Sequence, residues 1–286
     1  MKKSILFLSC LALLFVGCAK VDHEEVTPEK GKRHFTLRAT VDEPGTRLSV
    51  SDNGKFSWQQ GDYITVLKES NGSYSRTDQS YAINDGPTGD FEIELKEGET
   101  VRYAMYPQSD YSGFDSATNT LVFGLETNYE YVLGSSYMPM LGSNITIEDE
   151  YKLKASFRAV GGVLKLTVKN FPVDEEDNIE YLRFSVPNKK ITGTFPIQED
   201  SDGVKYIETV DNTSETNHID FFFRGGYYDT TMTFYFPLPC GTYNNLKFEL
   251  FNGGEDPIYS KTAKIEGGLI VHRNEVITAP TLTLNL

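Results

Sequence analysis

Apolar and polar residues trade places along this chain with a period of two wherever a pattern is clear. Phe35-Thr36-Leu37-Arg38-Ala39-Thr40-Val41, Phe91-Glu92-Ile93-Glu94-Leu95 and Val163-Leu164-Lys165-Leu166-Thr167-Val168 set apolar groups at alternate positions. That period predicts strands with one face buried and one face wet. Between such runs stand Asn53-Gly54, Asn71-Gly72, Glu97-Gly98, Asp202-Gly203, Gly225-Gly226, Asn252-Gly253-Gly254 and Glu266-Gly267-Gly268. Pairs of this kind supply the positive φ that tight hairpins require. No stretch of ordinary helical length carries a 3.6-residue apolar period. Many short strands in an aromatic-rich chain predict an all-β molecule of antiparallel sandwiches with Greek-key connections.

The N-terminus breaks the pattern. Lys2 and Lys3 precede an apolar run, Ile5 to Val16, that is too short to span a bilayer comfortably and reads as a secretory signal. Leu14-Phe15-Val16-Gly17-Cys18 resembles a bacterial lipobox. The resemblance implies removal of residues 1–17 between Gly17 and Cys18, lipidation of Cys18, and a body tethered to a membrane without being embedded in it. Residues 18–33 are polar and aperiodic, as a flexible tether would be. Their acidic stretch, Asp22-His23-Glu24-Glu25, resembles the signal that sends lipoproteins of Bacteroidetes-type bacteria to the outer face of the outer membrane; a plain solvated linker has the same composition.

The remaining 269 residues exceed what one sandwich core usually organises. Two domains are expected, 34–150 and 151–286. Met138-Pro139-Met140 closes one run of strands, Ile147-Glu148-Asp149-Glu150 forms an acidic break, and Leu153-Lys154-Ala155-Ser156-Phe157 opens the next set.

Charge narrows the partners. The whole chain holds 27 Lys and Arg against 41 Asp and Glu, a net charge of −14, and loss of Lys2 and Lys3 takes it to −16. Nucleic acid is excluded as a partner by this balance, and anionic headgroups repel the body, which leaves the lipid as the means of attachment. Of three cysteines, Cys10 leaves with the signal and Cys18 is lipidated, so Cys240 is left without a disulfide partner. The fold must therefore rely on its cores.

Chemistry is sparse. His23, His34, His218 and His272 lie at no metal-ligand spacing, and no Gly-x-Ser-x-Gly elbow, phosphate loop or His-Glu-x-x-His is present. No catalytic residue, cofactor or metal is expected, and the chain reads as a non-enzyme. Cys240, between Pro239 and Gly241, is a small buried or turn residue with nothing basic nearby in sequence to make a thiolate.

Thr46-Arg47-Leu48-Ser49, followed by Trp58-Gln59-Gln60-Gly61-Asp62-Tyr63-Ile64-Thr65-Val66, resembles the opening of the fimbrillin family of Bacteroidetes. Met138-Pro139-Met140, the strands from Leu153 to Val168, and Phe236-Pro237-Leu238-Pro239-Cys240-Gly241-Thr242-Tyr243 extend the resemblance over most of the mature chain. As residues alone, the Trp58 segment reads as a hairpin: Phe56 and Trp58 on one face, a turn at Gly61-Asp62, and Ile64 and Val66 returning. The resemblance implies two tandem transthyretin-like β-sandwich domains in a subunit of a type V pilus that contributes to adhesion. It also implies an arginine-specific protease that cuts behind the first strand, and a neighbouring subunit whose C-terminal strand fills the opened groove. Mapped here, the expelled strand is Phe35–Val41, the cut falls between Arg47 and Leu48, and the donor strand carries Leu282, Leu284 and Leu286.

Two other classes are considered. A surface glycan-binding lipoprotein would use Trp58 and the pairs Tyr129/Tyr131 and Tyr227/Tyr228 as flat platforms for sugars. A hydrolase on a sandwich scaffold would need motifs that the chain lacks. Stalk, tip and anchor roles stay open.

Overall fold

The computed structural model describes residues 31–41, 57–131, 137–171, 179–211, 215–223 and 229–285. Its first strands are β1 (Lys32–Val41), β2 (Tyr63–Ser70), β3 (Ser73–Tyr81), β4 (Thr88–Lys96), β5 (Thr100–Tyr106), β6 (Gly113–Asp115) and β7 (Thr120–Leu125). Next come β8 (Asn128–Glu130), β9 (Met140–Asp149), β10 (Lys152–Ala159), β11 (Gly162–Lys169), β12 (Tyr181–Ser185), β13 (Gly193–Pro196) and β14 (Gln198–Glu199). The last are β15 (Lys205–Tyr206), β16 (His218–Phe222), β17 (Thr231–Leu238), β18 (Gly241–Phe251), β19 (Tyr259–Val271), β20 (Val276–Thr278) and β21 (Leu282–Thr283). A single 3-10 turn, Glu215–Asn217, is the one helical element among the described residues. The all-β sandwich class expected from the alternation is what the chain adopts.

Seven strands form the first sheet in the order β3-β2-β5-β9-β10-β1-β4. All its pairs are antiparallel except β1 with β10. The two end strands, β3 and β4, are consecutive in sequence, and Ala82 just beyond β3 bridges Phe91 of β4. The sheet therefore rolls around its own core, which holds Leu37, Ala39, Ile64, Phe91 and Phe157. Trp58 is fully buried at its centre, with the rings of Phe91, Tyr106 and Phe157 set edge-on at 5.2, 5.2 and 5.3 Å. Edge-to-face packing of this kind suits the aromatic quadrupole.

The second core lies between two further sheets. One has β11 at its middle, antiparallel to β17 and parallel to β20 and β21; the other runs β19-β18-β12-β16-β8. Leu164, Leu166, Phe184, Phe221, Phe234 and Phe236 fill the space between. A smaller core of Leu67, Met105, Phe123, Leu141, Phe195 and Ile207 joins the outer face of the rolled sheet to the three strands β13-β7-β6.

The two halves lend strands to one another. β8 leaves the first half to pair parallel with β16, and β13 leaves the second to pair antiparallel with β7. Lys32–Leu286 accordingly forms one compact unit. The acidic stretch Ile147–Glu150 is the tip of the β9–β10 hairpin, where Ile147 is 79% exposed, and β10 belongs to the same sheet as β1. Its polarity reflects solvent at a hairpin tip. The chain passes from one sheet to the next at Gly161-Gly162, where a Cβ would stand 2.5 Å from the Leu238 carbonyl oxygen and 2.6 Å from that of His272. Only glycine lets the backbones approach so closely.

Candidate strand-exchange site

β1 is an interior strand, sixth of seven, with neighbours on both sides. Its register with β4 runs from Lys32 opposite Lys96 to Thr40 opposite Thr88; with β10 it runs from Thr36 opposite Lys152 to Val41 opposite Phe157. The expected apolar face is present: Leu37 and Ala39 are fully buried, and Phe35 and Val41 pack half-buried against the same core. On the opposite face Arg38 reaches Asp90 at 3.0 Å and Glu148 at 3.7 Å, while Lys32 meets Glu94 at 3.2 Å. The Arg38 guanidinium is held still more firmly protonated by its hydrogen bond to Asp90. Reading strands singly did not identify β10 or β4 as the walls of this slot. Their signal is the same period-two alternation in Leu153-Lys154-Ala155-Ser156-Phe157 and Phe91-Glu92-Ile93.

The Trp58 segment departs from the expected hairpin. The turn is real: the Asp62 N–H donates to the Gln59 carbonyl at 2.9 Å, and Gly61 takes φ +92°, the positive value that the third residue of a type II turn needs. Trp58, however, pairs with Gly86, while Ile64 pairs with β3 and Val66 with both β3 and β5. The cause is burial, since a tryptophan side chain that must reach the centre of a rolled sheet leaves its own backbone at the rim. Asp62 takes hydrogen bonds from the Gln59 amide at 2.8 Å and the Tyr106 hydroxyl at 3.2 Å. Desolvation raises its pKa above the ordinary aspartate value, and burial pushes the Tyr106 phenol well up.

At the far end of the chain, the run after Glu275 lies beside β11. β20 pairs with Val163–Lys165 and β21 with Val168-Lys169, both parallel, with Ala279 and Leu284 donating to Lys165 and Lys169 carbonyls at 2.8 and 3.0 Å. Leu282 and Leu284 are 6% and 2% exposed within the second core. Leu282 and Leu284 are therefore occupied in their own chain. Pro280 interrupts the ladder, which divides it into two short pieces.

Gly17, Cys18, Arg47, Leu48 and Leu286 lie outside the described residues, as do Phe56, Tyr227 and Tyr228. The sugar platforms expected of the other aromatics are not formed. Trp58 is fully enclosed, Tyr129 is stacked on Phe221 in the second core, and Tyr131 packs against Phe223 and Phe234. Cys240 is half-buried, and burial pushes its thiol up to about 11 although Arg273 stands close. Asp115 accepts hydrogen bonds from Ala117 and Thr118 and so closes a turn. His34 on β1 faces Glu94, His218 lies 4.0 Å from Asp220, and His272 sits in the loop before β20. Among the described residues no group of three or more His, Cys, Asp or Glu is placed to hold a metal ion.

No family model and no curated protein matches the chain. Among solved structures it is similar to a candidate cell adhesion protein from Bacteroides uniformis, at 11% identity and a TM-score of 0.44, covering 88% of this chain and 92% of that one. It is also similar to a fimbrial assembly protein from Parabacteroides distasonis, at 9% identity and a TM-score of 0.36, covering 86% and 90%. A third is the fimbrial anchor protein Mfa2 from Porphyromonas gingivalis, at 12% identity and a TM-score of 0.29, covering 80% and 82%. The solved neighbours are thus fimbrial and cell-adhesion proteins of Bacteroides and related bacteria.

Proposed function

We propose that this chain is a structural or accessory subunit of a cell-surface fimbria, exported as an outer-membrane lipoprotein through Cys18 and assembled by strand exchange. On this reading the two cores are tandem transthyretin-like domains, and the partners are other fimbrial subunits and an arginine-specific protease. The observation that carries the proposal is the position of β1. It is the first strand among the described residues, yet it lies between β10 and β4 inside a sheet, so a cut after Arg47 would separate it covalently from both walls of its slot. Its loss would bare two ladders and the pockets of Leu37 and Ala39. A replacement strand must then supply backbone donors and acceptors and apolar groups at period two. Leu282, Leu284 and Leu286 have that period, and the segment that carries them is held to β11 by short parallel ladders.

Release of that segment is the step to test. In a Cys240→Ser background, Lys169→Cys and Thr283→Cys place thiols at register partners of β11 and β21. Protein cut at Arg47 should form ladders or fibres when reduced and stay monomeric when the cross-link closes, by light scattering and electron microscopy. Equal assembly in both states would remove the C-terminal strand as donor. If neither state assembles after the cut, the chain does not polymerise through β1 and the strand-exchange reading fails.

A further inference from the structure

A cleft of about 820 Å3 opens on the outer face of the rolled sheet. Tyr103 of β5, Leu141 and Ser143 of β9 and Arg158 of β10 line its floor; the hairpin of β14 and β15 and the loop between β19 and β20 form its walls. Four cationic side chains line it, Arg102, Arg158, Lys205 and Arg273, against one carboxylate, Glu199. Glu199 is already paired with Lys205, its hairpin partner. The chain as a whole carries a net charge of −14. A cationic cleft in an anionic molecule concentrates the field where the walls exclude water.

Arg273 is held in place by the fold. The Arg273 guanidinium donates to the Ala159 carbonyl at 3.1 Å, and the Asn274 amide beside it donates to the Gly161 carbonyl at 2.8 Å with φ +59°. Across the cleft the hairpin carrying Lys205 is closed by Asp200, whose side chain accepts from the Asp202 and Val204 amides, both at 2.9 Å. Arg102 at the rim leans toward Glu69, 3.5 Å away. Pre-organised charge of this kind loses little freedom when a ligand arrives.

The floor decides the class of ligand. β5, β9 and β10 each have a hydrogen-bonded neighbour on both sides, so the floor offers no strand edge to which an extended peptide could add, and the β14 and β15 strands of the wall are only two residues long. Recognition must run through side chains. Guanidinium groups bind carboxylates in a fork, Ser143, Asn144 and Asn274 offer hydroxyl and amide partners, and Tyr103 offers an apolar ring. The volume lies toward the upper end of the ~300–1,000 Å3 range of small-molecule sites, larger than an inorganic anion needs. We propose that this cleft binds an acidic oligosaccharide, with uronate-type carboxylates on Arg158 and Arg273 and ring hydroxyls on the neighbouring amides. The site uses no residue of β1 or β21, so its lining is distinct from the strands proposed to exchange.

Calorimetry on the purified full-length chain in detergent tests this with trigalacturonate, maltotriose and hexaglutamate as probes. Trigalacturonate should bind, and more weakly as salt rises from about 50 to about 500 mM; maltotriose should not bind, and hexaglutamate should bind at least roughly tenfold more weakly than the acidic sugar. Arg158→Gln and, separately, Lys205→Glu on the solvent-facing hairpin should each weaken trigalacturonate roughly tenfold. The second variant keeps the test decisive if the first unfolds. Absence of trigalacturonate binding, equal binding of maltotriose, hexaglutamate binding as tightly as the sugar, or a folded Lys205→Glu protein with undiminished affinity would each overturn the assignment.

Discussion

Gly89 of β4 shows how finely the first core is filled. A Cβ there would meet Trp58 Cγ at 2.8 Å and the Phe91 ring at 2.9 Å, and neither ring has free space, since both are fully buried. Gly89→Ala should therefore destabilise by about 1–3 kcal/mol, the usual cost of overfilling a core. Trp58 is the chain's one tryptophan, so its fluorescence in a urea titration reports this core directly. Asp62 offers a second test. Its pKa is raised in the fold by desolvation, so the protonated form is the one favoured by folding, and stability is lost as pH rises from the ordinary aspartate value through the raised one. In Asp62→Asn that slope should vanish from melting temperatures measured across the acid range. An unchanged slope would assign it to another carboxylate.

At the scale of elements, β1 is held chiefly by what it buries. Leu37→Ala should cost about 2–5 kcal/mol, because the fully buried side chain leaves a cavity between β4 and β10. Arg38→Ala should change the melting temperature far less, since its pairs with Asp90 and Glu148 lie on the partly solvated face of the sheet and are screened. Comparing the two variants by thermal melting separates burial from ion pairing. The period-two pattern of β1 was legible because alternation is local, and the turn at Gly61-Asp62 was legible because a positive φ needs glycine. The pairing of Val41 with Phe157 was not, because register between strands so distant in sequence is set by the packing of the whole sheet. For the same reason Trp58 misled the hairpin reading: its pull toward the core outweighed the local tendency to pair with the strand that follows the turn.

At the scale of the molecule, the exchange of β8 and β13 binds the halves through backbone hydrogen bonds. A chain ended at residue 150 lacks β10, which lies between β9 and β1 in the first sheet, and lacks β13 beside β7. It should show no cooperative unfolding transition by circular dichroism, whereas the whole chain should unfold with one. Composition disclosed the size, the charge and the need for more than one core. It did not disclose the interleaving, because a polar hairpin tip and a polar linker look alike until the strands around them are paired. The cationic cleft was hidden for a related reason. Arg102, Arg158, Lys205 and Arg273 are scattered along the chain and meet only when β14 and β15 fold over the sheet.

The double-sided seating of β1 also has a mechanical side. An edge strand under tension unzips one bond at a time, and each bond breaks at small force. β1 has β4 on one flank and β10 on the other, so a pull along its axis from the N-terminal side cannot open it from a free margin and must slide it past two ladders together. Load is then shared by many hydrogen bonds at once, in shear. The same strand can withstand traction on the intact chain, while a single backbone cut behind it would turn a mechanical anchor into a removable part.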